Sequence, residues 1–81
     1  MKIRFSEHSL ARMQQRGVSR GMVLQVLEKA IPFRFSHGGS ERLGYLDPRT
    51  RILVTMADET VITVVANVSE RYVEILKKGL R

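Results

Sequence analysis

The chain has 81 residues, no cysteine, and fourteen Lys and Arg against eight Asp and Glu, for a formal net charge of +6. Such a length supports a single domain over residues 1–81 with a small core, and the lack of cysteine removes a disulfide framework, a thiolate nucleophile and Cys-ligated zinc. No apolar run approaches the roughly 18–20 residues of a membrane span, so the expected setting is the cytoplasm, with no membrane partner.

The N-terminal stretch MKIRFSEHSLARMQQRG has no continuous apolar run and does not read as a signal peptide. It reads instead as a helix. Phe5-Ser6 supplies a serine cap, and Leu10 stands four positions after it to staple back to Phe5. Gly17 then closes this first helix, with Leu10 and Met13 as its core positions. The same device recurs at Val18-Ser19 with Val23. It opens a second helix whose Val23, Val26, Leu27 and Ala30 lie at i, i+3, i+4 and i+7 before Pro32 stops it.

Beyond Pro32 the period changes from helical to alternating. Phe33 and Phe35 alternate with Arg34 and Ser36, and His37-Gly38-Gly39-Ser40 is a turn. Residues Arg42–Leu46 form a second strand, Asp47-Pro48-Arg49-Thr50 a type I turn, and Arg51–Ala57 and Thr60–Ala66 two strands around Asp58-Glu59. Val68-Ser69 with Val73 then caps a third helix, and Gly79 stands at its C′ position. Hairpin-length turns predict a four-stranded antiparallel sheet, with helices on one face. The expected class is α+β: two N-terminal helices, four strands and a C-terminal helix.

The basic excess is local. Residues 1–20 carry five cations against one acid, a net of +4, whereas residues 41–60 carry a net of −1. Ten of the fourteen cations are Arg, whose planar fork suits phosphate. A polyanionic partner accounts for this, and so does a solvated basic surface.

On the first helix His8, Arg12 and Arg16 are spaced i, i+4, i+8 and form one drifting stripe. An imidazole exchanges its proton near neutral pH, and guanidinium groups hold a phosphodiester and stabilise charge building on it. Those parts suffice for metal-free cleavage of RNA, whose 2′-hydroxyl is the internal nucleophile. His8 and Arg12 are therefore the candidate catalytic pair, and Arg16, Arg4, His37 and Arg71 the candidate phosphate contacts. The alternative is a polar helix face bathed in water. Tyr45 and Tyr72 fit either base stacking or a place in the core. Two distant histidines and no acidic cluster leave metal sites unsupported, and no Gly-rich loop precedes a helix to bind a nucleotide cofactor.

The run His8-x3-Arg12-Met13-x2-Arg16-Gly17-Val18-Ser19, followed by an amphipathic helix and an antiparallel sheet, resembles a bacterial family known as a domain of unknown function. That family looks like a relative of the small RelE/ParE and BrnT toxins. The resemblance implies a helical hairpin on a curved antiparallel sheet, ribonuclease activity without a metal or other cofactor, RNA as substrate, and a neutralising antitoxin with an acidic binding segment. It adds functional weight to His8, Arg12 and Arg16, whereas Gly17 and Ser19 have sufficient reasons in helix capping. A non-catalytic module for RNA or for a protein partner, built on the same fold, is the other expectation.

Overall fold

The computed structural model describes residues 2–79, apart from the side chain of His37. The elements are β1 (Arg4–Phe5), α1 (Glu7–Arg16), α2 (Arg20–Lys29), β2 (Ile31–His37), β3 (Ser40–Asp47), β4 (Ile52–Ala57), β5 (Thr60–Val65) and α3 (Glu70–Gly79). All three serine caps form. Ser6 Oγ accepts the Ser9 N–H at 3.1 Å, Ser19 Oγ the Met22 N–H at 3.1 Å, and Ser69 Oγ the Tyr72 N–H at 3.2 Å. The flanking apolar pairs enter the core together: Phe5 with Leu10 and Val18 with Val23 in one cluster, Val68 with Val73 in another. Gly17 closes α1 in the left-handed conformation, and the Val18 N–H reaches the Met13 carbonyl at 2.9 Å. Helix α2 ends at Lys29 because Ile31 precedes a proline and is pushed toward extended backbone. Gly79, expected just past α3, is its last residue.

The sheet differs from the expected four antiparallel strands. It has five, in the order β1-β5-β4-β3-β2, and the added β1 pairs in parallel with β5. Two residues are too few for a hydrophobic period, and this pairing is held by the Arg4 N–H on the Glu59 carbonyl (2.8 Å) and the Ser6 N–H on the Val61 carbonyl (3.1 Å). Arg51 belongs to the turn and not to β4, with a positive φ of 56°. The β2–β3 turn is Gly38-Gly39, with φ of 58° and 81°, the double positive value of a type I′ hairpin. It pairs His37 with Ser40, and so places Phe35 opposite Arg42 and Phe33 opposite Gly44.

Helices occupy both faces of the sheet, not one. Ile52, Val54 and Met56 point to α1 and α2, where Met13, Val18, Val23 and Val26 complete the larger core. Leu53 points the other way and joins Leu46, Val65, Val68 and Val73, so α3 covers the opposite face. A bulge between Thr55 and Met56 leaves Ile62 without a partner on β4, which lets Val61 and Val64 both point into the larger core.

Candidate functional site

The first turn of α1 is pinned to the edge of β5. Besides its backbone bond to Val61, Ser6 donates its hydroxyl to the Ile62 carbonyl at 3.2 Å. Ser9 is fully buried there and donates its own hydroxyl to the Ser6 carbonyl at 2.8 Å. A larger residue at this position would hold the helix off the sheet. The consequence is that His8, exposed between these two serines, stands at the bulge and lines a cleft on the α3 face.

This cleft has a volume of about 230 Å³ and is lined by His8, Phe35, Arg42, Thr55, Ile62 and Thr63. Thr55 and Thr63 are a cross-strand pair and Phe35 and Arg42 another, so four strands, β2 to β5, contribute to the site. Arg42 is half-buried, and its Nε is fully buried with no hydrogen-bond partner among the described residues. A buried donor on a charged group left in that state costs roughly 1–3 kcal/mol or more. Among the described residues no carboxylate lines this cleft; on another side Arg42 also lines a concavity that holds Glu41 and Asp58. A further concavity of about 210 Å³ adjoins the His8 cleft, lined by Phe33, Phe35, Leu53, Thr55 and Tyr72. Among the described residues no group of three His, Asp or Glu side chains is placed to hold a metal ion, and no helix is long and apolar enough to cross a membrane.

The residues singled out in the sequence are not brought together as a set. Arg12 is half-buried, donates to Gln15 Oε1 at 3.2 Å and lies outside the cleft. Arg16 donates to the Val64 carbonyl at 3.2 Å, and so occupies a backbone acceptor on the β5 edge. Arg4 is exposed on β1 opposite Thr60, and Arg71 is exposed on the first turn of α3. The side chain of His37 lies outside the described residues; its backbone ends β2 at the Gly38-Gly39 turn. Tyr45 is on the α2 face, packed against the larger core, where it shares an apolar cleft of about 290 Å³ with Ile3, Leu24, Leu27 and Met56. It cannot reach the His8 cleft across the sheet.

Arg42 is the residue that reading along α1 missed. Its signal was countable: a two-residue Gly-Gly turn fixes the hairpin register and puts Arg42 across from Phe35. A family model described as Domain of unknown function (DUF4258) matches residues 5–78. No curated protein and no solved structure matches the chain.

Proposed function

Because the chain belongs to the DUF4258 family, a domain of unknown function, its activity has to be argued from the cleft itself. We propose that it is a toxin-like endoribonuclease that needs no metal, working on RNA with His8 as acid or base and Arg42 as the principal phosphate contact. The observation that carries this reading is that His8 and Arg42 line the same cleft, in which no carboxylate stands among the described residues.

In that reading an RNA phosphodiester lies between the two side chains. The 2′-oxygen attacks phosphorus as its proton leaves, the bond to the 5′-oxygen breaks, and that oxygen takes up a proton. The products are a 2′,3′-cyclic phosphate and a 5′-hydroxyl. His8 moves one of these protons, and Arg42 stabilises the charge that gathers on the non-bridging oxygens. Arg12, one turn along α1, would extend the contact to a neighbouring phosphate once its bond to Gln15 is exchanged. Arg16 has a structural task already. An antitoxin for such an enzyme would present an acidic segment to the same two cations.

Purified protein should cleave RNA in EDTA, and His8→Ala should lower the rate by about 10²–10⁴-fold without lowering Tm, since the side chain is exposed. Undiminished cleavage by His8→Ala would remove His8 from the mechanism. A second reading, binding of RNA without cleavage, draws on the fact that among the described residues the cleft lining holds one histidine and no carboxylate, whereas the reaction moves two protons. Salt-sensitive binding with no strand scission would favour it.

A further inference from the structure

The two concavities on the α3 face adjoin each other. Phe35 and Thr55 line both of them. One half holds His8 and Arg42; the other is walled by aromatic rings. Phe33 and Phe35 project from the same side of β2 with ring centroids 5.8 Å apart and planes inclined by 35°. Phe33 joins the smaller core beneath α3, but Phe35 belongs to neither core and is half-buried. Gly44 is the cross-strand partner of Phe33, and a Cβ there would collide with the ring. The glycine therefore lets the ring lie down across β3. Tyr72, in the first turn of α3, lines the same concavity and is 39% exposed.

We infer that Phe33, Phe35 and Tyr72 form a binding site for one unpaired base of single-stranded RNA, stacked beside the phosphate held by His8 and Arg42. This rests on the reading of the His8 cleft as an RNA site. Three features select the occupant. Flat rings at the groove wall offer π-faces, which every nucleobase can use. The cationic half adjoins the aromatic half through Phe35 and Thr55, as a phosphate adjoins its base. Among the described residues the lining carries no carboxylate to repel the backbone. A paired base is already stacked within its helix, so the site selects single strands.

The test separates base recognition from cleavage. A 2′-O-methyl RNA hexamer, which lacks the nucleophile, is titrated by fluorescence anisotropy against the full chain. The same hexamer carrying an abasic nucleotide at each position in turn, and its duplex, are titrated alongside. The expected result is that one abasic position weakens binding by about tenfold, that the duplex binds as weakly, and that Tyr72→Ala and Phe35→Leu bring a similar loss. The abasic loss should then disappear in those variants. Equal affinity for intact and abasic hexamers overturns the base site, as does unchanged affinity in both folded variants or no binding of RNA by the wild type. Displacement of the hexamer by an acidic peptide, with no dependence on the base, also overturns it and assigns the groove to a protein partner. Base-dependent binding without cleavage of ordinary RNA keeps the site and removes the catalytic reading. Cleavage with base-independent binding does the reverse.

Discussion

The two faces of the sheet are built to different ends. On the α1–α2 face Val23, Val54, Val61 and Val64 have no exposed surface, and two ten-residue helices cover them. On the other face the single helix α3 packs over Leu46, Leu53 and Val65, at one end of the strands. The rest of that face carries Phe35, Arg42, Thr55 and Thr63 with Ile62 as its one aliphatic lining residue among those described. A domain of 81 residues has little apolar surface to spare. Leaving half a sheet face without a helix gives up burial, and the residues found there are of the kinds that bind: a cation, hydroxyls and an aromatic ring. One face holds the fold together, and the other is free to be a site.

The strongest test of this division is a pair of truncations, one on each face. Met13 is 4% exposed in the larger core, and Met13→Ala should cost about 2–5 kcal/mol. For a domain of this size that is a fall in Tm of at least about 8 °C. Phe35→Ala removes a larger side chain, yet it is only half-buried and joins neither core, so a smaller cost is expected. Thermal unfolding of both proteins measures the difference. Equal losses would mean that the α3 face is as structural as the other, and the comparison between them would break.

Much of this fold was legible because its signals are local. Three Ser caps with their apolar staples, the Gly38-Gly39 turn and the alternation along the strands each need fewer than about ten consecutive residues to be read. Two features were not legible. β1 is two residues long and pairs with a strand some fifty-five positions away, so nothing in its own pattern announces it. The face taken by α3 depends on which side of Leu53 the last helix returns to, a choice made by packing alone. The candidate site divides in the same manner. His8 is visible from its helix, but Arg42 and Tyr72 meet the groove only through cross-strand register and the docking of α3. A stripe computed on one helix selects neighbours on that helix, and here Arg16 turned out to serve the edge of β5.

The junction between the faces can be tested through two equivalent-looking caps. Ser19 caps α2, and its hydroxyl accepts from Met22. Ser6 caps α1 and also donates to the Ile62 carbonyl, tying the helix that carries His8 to the bulge of β5. Ser19→Ala should cost about 1 kcal/mol, and Ser6→Ala close to 2 kcal/mol, because a carbonyl partner is lost with the cap. Only Ser6→Ala should also lower cleavage or RNA affinity. Denaturant midpoints and a binding titration on both variants would show it. Equal stability losses with unchanged binding would detach the position of His8 from its cap.

The smallest expected change in stability is the sharpest test of the open face. Arg42 has a buried Nε without a partner among the described residues. Replacing Arg by Ala would confuse two losses, the charge and the stem that packs along β3. Arg42→Met keeps a long unbranched chain and removes the unpaired donor. Deleting a buried polar group that bonds to nothing is neutral or stabilising, so the unfolding free energy should stay within about 1 kcal/mol of wild type or rise. Affinity for RNA should fall, because the same change takes away the phosphate contact. A residue kept for the fold would give the opposite pair of results, lower stability with binding intact. The two readings of Arg42 therefore move the two measurements in contrary directions, and one variant distinguishes them.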